Sequence, residues 1–264
     1  MNTTTGPVVG HAETGVAAFR GIPYAEPPTG ELRFRRARPK ESWSTPLLAT
    51  QSGSPCIQIR NADQGVIGSE NCLWLDVVVP RDPSSRSAVD ASARRPVVVF
   101  FHGGSNAFGS AANRLYSAQY LAMALDAVVV AVNYRLGVAG GMSLSYGTSQ
   151  SDVPADRFDT NTQLSDGITA LTWVRDNAEA FGGDPHRIIA MGQSSGGALV
   201  SSLTAVPQLE NVIAGVIMLS PPLAMVHHPD LAALWANRLF DKCQNPVAVD
   251  SHTIGKLSGG ILQE

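Results

Sequence analysis

The 264-residue chain has no long hydrophobic run, little cysteine and no concentration of charge of one sign. Its most apolar stretch, residues 212–219 (VIAGVIML), falls far short of the ~20 residues that a membrane-spanning helix needs. Only 16% of residues are charged, the formal net charge is -3, and no basic stripe is visible, so no nucleic-acid partner is expected. The first ten residues, MNTTTGPVVG, contain neither a basic n-region nor a continuous apolar h-region. No secretory signal is therefore expected, and the location reads as cytoplasmic, or secreted if the true N-terminus lies upstream. Among Cys56, Cys72, Cys243 and the six histidines there is no C-x-x-C or H-x-x-x-H spacing, which argues against a metal site; no metal or cofactor is expected. Cys56 and Cys72 either close a loop, worth about 3 kcal/mol if oxidised, or stand as two free thiols in a reducing compartment.

What remains is an ordinary globular composition, 44% hydrophobic, sufficient for one α/β domain. Residues 8–20 read as two short strands around Glu13-Thr14-Gly15, followed by an irregular Pro-rich loop over 23–39. Residues 73–79 alternate as a strand, and the polar segment 81–95 reads as an exposed loop between strands. From there the pattern is regular. Residues 97–101 and 127–133 are continuous apolar runs of the kind expected for strands covered on both faces. Helical spacing occupies 116–125 and 164–180, with a further strand at 187–191, a helix at 198–205, a strand at 212–219 and a helix at 231–242. Strand and helix in alternation predict a doubly wound, mostly parallel sheet with a small β region at its N-terminus.

Two glycine-rich segments stand at the ends of these strands. Residues 192–197 (GQSSGG) contain G-x-S-x-G between the strand 187–191 and an apolar helix, the context of a nucleophile elbow, in which a strained turn lifts a serine hydroxyl above the sheet. Small residues at Ser195 and Gly196 let the helix N-terminus approach the sheet and present free N–H groups to a developing oxyanion. The second segment, residues 102–109 (HGGSNAFG), directly follows the strand 97–101. Glycines there allow backbone N–H groups to reach a carbonyl oxygen without Cβ interference.

On FRGIPYAEPPTGELRF (19–34), SENCLWLDVVVP (69–80), the HGGS loop, NYRLGVAG (133–140) and residues 161–197 with their TWVRDNAEAFGGDPHR core, the chain resembles the N-terminal half of a type B carboxylesterase, the cholinesterase-like branch of the α/β-hydrolases. The resemblance implies an α/β-hydrolase-type sheet whose C-terminal strands are missing, in a single domain over 1–264 that is incomplete at its C-terminus. It also implies a serine carboxylesterase acting on small carboxylic esters through an acyl-enzyme. Ser194 matches the nucleophile, and the N–H groups of Gly104, Ser105 and Ser195 match the oxyanion hole. Arg33 with Glu70, and Arg135 with Asp166, match structural ion pairs, and Cys56 with Cys72 matches the family's first disulfide.

Three departures qualify these expectations. Gln193 stands where the family usually has Glu, so a neutral ester is expected rather than a choline ester. Ser105 replaces the third glycine of HGGG, at a strain of about 1 kcal/mol or more if that position needs positive φ. The family's acid and histidine follow the serine in the order Ser, acid, His, beyond residue 264. Within the chain, His186 lies at the far end of the elbow strand, roughly 15 to 25 Å from Ser194 at about 3.3 Å per residue. His102 belongs to the oxyanion loop, where a structural hydrogen bond is expected, and His252 falls in a polar tail. His227 and His228, with Asp230, are the surrogate base and acid that the sequence offers. Two further readings stand beside the esterase: a catalytically silent cholinesterase-like binding module, and a nonfunctional fragment. A complementary C-terminal half is an expected partner, because the strand 212–219 would otherwise be an exposed apolar edge.

Overall fold

The computed structural model describes residues 1–59, 65–81, 89–116, 118–147, 154–224, 227–243 and 245–262. Seven strands form its main sheet: β1 (His11–Glu13), β2 (Val16–Pro23), β3 (Trp74–Pro80), β4 (Arg95–Phe101), β5 (Val128–Val132), β6 (Gly183–Gln193) and β7 (Ile213–Leu219). Their spatial order is β7-β6-β4-β5-β3-β2-β1. The four strands β7, β6, β4 and β5 are mutually parallel, whereas β3, β2 and β1 add on antiparallel to their neighbours. The expected doubly wound sheet is present, with the small N-terminal region forming its antiparallel edge.

Burial explains why the central strands were readable. All five residues of β5 are buried, because α1 (Ala118–Leu125) covers one face of the sheet while α3 (Thr162–Asn177) and α4 (Ser195–Leu203) cover the other. Val98, Val129 and Val78 pack with Ala122 on the first face. Val97, Val99 and Val130 pack with Leu171, Val174 and Val200 on the second. A strand covered on both sides has no polar face to alternate, hence the continuous apolar runs.

Several boundaries differ from expectation. β6 begins at Gly183, four positions before the expected start at residue 187, because Gly183 pairs with Arg95 ahead of a register shift between Gly183 and Ile188. α4 begins at Ser195, through Gly196 and Gly197, residues whose low helix propensity hides the start. The tail is a correction: Ser251–Leu262 is a helix, α6, with Ile254 and Ser258 buried, though His252 is exposed as expected. Together with α5 (Pro229–Lys242), α6 packs over α2 (Gly137–Gly141) in a second core containing Phe34, Leu144, Phe158 and Phe240. Residues 82–88 of the expected loop 81–95 lie outside the described residues, and Arg95 already belongs to β4.

Cys56 and Cys72 are joined as a disulfide, which settles the alternative left open by their spacing. Both expected ion pairs form. Arg33 is bidentate to Glu70 at 2.7 and 2.6 Å and also donates to the carbonyls of Val247 and Val249. β7 is an edge strand, and Val216, Ile217, Met218 and Leu219 are exposed, Leu219 by 45%. An unpaired apolar edge of this kind invites another strand.

Candidate active site

In the sheet β5 lies on one side of β4 and β6 on the other, so the crevice between the C-terminal ends of β4 and β6 is a topological switch point, the usual place for a ligand in a doubly wound sheet. Both glycine-rich segments open there. Phe101 pairs with Gly192, which sets His102 and the loop after it beside the turn that carries Ser194.

Ser194 has φ 54 and ψ -125 and is the N-cap of α4, yet its side chain makes no capping hydrogen bond. Its N–H donates to the Leu219 carbonyl at 2.8 Å, which anchors the turn on β7. A non-glycine residue in this region is strained by order 1–3 kcal/mol, and the neighbours enforce it. A Cβ on Gly192 would collide with the Gly196 carbonyl, and one on Gly196 with the carbonyls of Phe101 and His102. The small residues of the motif are thus required by the approach of α4 to the sheet.

The loop 102–109 is held in an unusual path, with Gly104 at φ 131, Ser105 at 55, Asn106 at 56 and Gly109 at 120. Ser105 therefore does sit at positive φ, in the conformation that costs a non-glycine residue about 1 kcal/mol. Any Cβ on Gly104 would strike the Phe108 carbonyl, and one on Gly103 would strike Gln193. Among the described residues, the N–H groups of Gly104, Ser105 and Ser195 donate to no other atom of the chain. Gln193 accepts a hydrogen bond from the Tyr116 hydroxyl at 3.0 Å.

His102 is structural here. Its Nδ1–H donates to the Gly103 carbonyl at 2.9 Å, its ring stacks on Tyr134 with centroids 4.6 Å apart, and the Tyr134 hydroxyl donates to the His102 carbonyl at 2.6 Å. Burial pushes the imidazole down to about 4, against a smaller upward pull from the Gly103 carbonyl. The unfolded chain takes up this proton near pH 6.5 and the folded one only near 4, so stability is full above 6.5 and falls as pH drops through that window. We expect the loss at His102 to reach about 3 kcal/mol by pH 4. Urea unfolding between pH 7 and 4 checks it: His102→Gln should flatten this part of the profile, and a profile as steep as the parent's would place the titrating group elsewhere.

The other histidines separate clearly. His186 is exposed within β6, near its start. His228 accepts the N–H of Asp230 as the N-cap of α5, and its Nδ1 lies 3.2 Å from the Asp230 carboxylate with both side chains in solvent, 76% and 94% exposed. That pair is engaged in starting a helix, which explains why it stands together in sequence. His227, although exposed, lines a cavity of about 490 Å³ that Ser105, Ser195, Leu199 and Trp235 also line. Among the described residues no histidine or carboxylate is hydrogen-bonded to Ser194, and no group of His, Cys, Asp and Glu could hold a metal ion. No described helix is long and apolar enough to cross a membrane. Tyr116, Tyr134 and Asn133 brace the loop and the turn; Asn133 and Tyr134 open the NYRLGVAG stretch, whose resemblance did not reveal this bracing, and Tyr116 falls in none of the matching stretches.

A serine on a strained strand-to-helix turn at the switch point of such a sheet defines an α/β-hydrolase. The chain belongs to the carboxylesterase family, whose profile matches residues 1–249. Para-nitrobenzyl esterase of Bacillus subtilis (strain 168) is 37% identical over 224 residues, covering 83% of this chain and 42% of that protein. Acetylcholinesterase of Danio rerio is 32% identical over 255 residues, 92% of this chain and 36% of that one. Among solved structures, a carboxylesterase of Geobacillus stearothermophilus superposes with a TM-score of 0.85 at 29% identity, over 98% of this chain and 53% of that one. The chain thus spans about half the length of the relatives it matches, or less.

Proposed function

We propose that the protein hydrolyses small, neutral carboxylic esters through an acyl-enzyme on Ser194. The observation that carries this is the conformation of Ser194 itself, strained and at a helix N-terminus with its hydroxyl withheld from capping. Strain of this kind persists where a function uses it. The hydroxyl oxygen attacks the ester carbonyl, its proton passes to a base, and the negative oxygen that forms is met by the N–H groups of Gly104, Ser105 and Ser195. Collapse expels the alcohol, which takes up the proton, and water then releases the acid by the same route. Because Gln193 is uncharged, nothing beside the nucleophile favours a cationic substrate.

The base is assigned to residues outside 1–264 that pair along β7, as the exposed edge and the length of the relatives suggest. His227 is the candidate within the chain, since it lines the cavity shared with Ser105 and Ser195; His228 and Asp230 are occupied as a cap. Mixing the protein with p-nitrophenyl acetate, quenching in acid and mapping peptides by mass should find one acetyl group on the Ser194 peptide. Acetylation elsewhere only, or nowhere, would leave the silent binding module as the better account.

A further inference from the structure

The oxyanion loop leaves β4 rigidly but has no strand to hold its far end, and one side chain from a distant segment takes that role. Gln58 is 5% exposed. Its Oε1 accepts the N–H of Gly109 at 2.9 Å, and its Nε2 donates to the Gly109 carbonyl at 2.9 Å and to the Cys56 carbonyl at 2.8 Å. The acceptor and both N–H donors are therefore used, and the partners fix which end of the amide is which. Both backbone groups of Gly109 are held by this one residue, much as a neighbouring strand would hold them.

We propose that Gln58 is a positioning residue for the oxyanion hole, holding the loop 102–109 closed so that the N–H groups of Gly104 and Ser105 stay aimed at the substrate oxygen. The inference rests on the assignment of those N–H groups as oxyanion donors. The mechanical path is short. Gly109 at φ 120 lies against the His102 ring and the Gly103 carbonyl. Phe108, its neighbour, packs its carbonyl onto the Gly104 Cα, while the N–H groups of Ala107 and Phe108 both donate to the Gly104 carbonyl. A shift of Gly109 is transmitted through this tight turn to Gly104. The frame on the other side is firm as well, since Cys56 is tied by its disulfide to Cys72, two residues before β3. Just past the loop, Asn133 accepts the N–H of Ala111 at 2.7 Å and donates to the Ser54 carbonyl at 3.0 Å, which closes the same seam.

Two substitutions separate positioning from bulk. Gln58→Glu keeps the shape and the acceptor but turns a carboxylate toward two carbonyls, and Gln58→Leu removes all three bonds. In both, backbone hydrogen exchange over residues 103–111 should quicken by about tenfold or more, while residues 128–132 of β5 keep the parent rate. With p-nitrophenyl acetate, kcat should fall by about 10- to 100-fold and KM by less than about twofold in either direction. Parent-like exchange over 103–111, or exchange that rises equally in β5, overturns the proposal, as does a parent-like kcat in a protein whose hydrolysis depends on Ser194. If hydrolysis proves independent of Ser194 the esterase assignment falls, and the exchange measurement alone then decides whether Gln58 holds the loop.

Discussion

Hydrolysis of p-nitrophenyl acetate by the Ser194→Ala variant is expected to fall by about 10³-fold or more from the parent rate once a general base is supplied. No neighbouring hydroxyl can take over. Ser195 is 1% exposed and already begins the helix, with its Oγ shut inside the packing between α4 and the sheet. Ser105 belongs to the loop whose N–H groups would meet the oxyanion, so its hydroxyl cannot also reach the carbonyl carbon those groups bracket. The side chain removed is small and only partly buried and makes no capping bond, so thermal stability should change by under about 1 kcal/mol. Rate and melting temperature measured together therefore isolate the chemistry. A variant that keeps the parent rate would reject the serine mechanism, whereas one that loses rate and melts far earlier would point to folding. The experiment is best run on the chain alone and with the C-terminal half of a relative added, since the edge of β7 is open to it.

How much of this could be read without coordinates depends on the range of the contacts. β4 and β5 were legible because burial on two faces writes itself as an uninterrupted run of Val, Ala and Phe. The elbow was legible because strand, turn and helix are consecutive in the chain. The braces were not: Gln58 and Gly109 are 51 residues apart, and Tyr134 lies 32 residues from the carbonyl it holds. Nothing local marks such pairs, since glutamine and tyrosine occur in many surroundings. α6 escaped because it contains four of the features that lower helix expectation, Thr253, Gly255, Gly259 and Gly260, and is held by packing on α2 and α5. His228 and Asp230 read in sequence as a base and an acid two positions apart, but that spacing reflects an N-cap and the first-turn carboxylate of α5.

The buried Arg135–Asp166 ion pair should weigh heavily on stability. Replacing Asp166 by alanine is expected to cost about 3–5 kcal/mol, which for a domain of this size lowers the melting temperature by roughly 10 °C. Arg135 and Asp166 side chains are 3% and 0% exposed. The carboxylate takes four hydrogen bonds from one residue, one from the Arg135 backbone N–H at 2.9 Å and three from its guanidinium at 2.6 to 3.1 Å. The guanidinium also donates to the carbonyls of Arg35 and Thr162. Losing the carboxylate strands a positive charge that only carbonyl dipoles can answer, and the charge cannot be shed because a guanidinium stays protonated. The penalty is thus mostly that of an unpaired buried charge, and it carries its own control. Replacing both partners at once, Arg135→Met with Asp166→Leu, removes the charge together with its counterion, so the double variant should be more stable than Asp166→Ala despite the larger change. Urea unfolding of the parent, the single variant and the double variant tests the ordering, and a double variant no more stable than Asp166→Ala would show that the pair's hydrogen bonds to Arg35 and Thr162, rather than charge, hold this part of the fold.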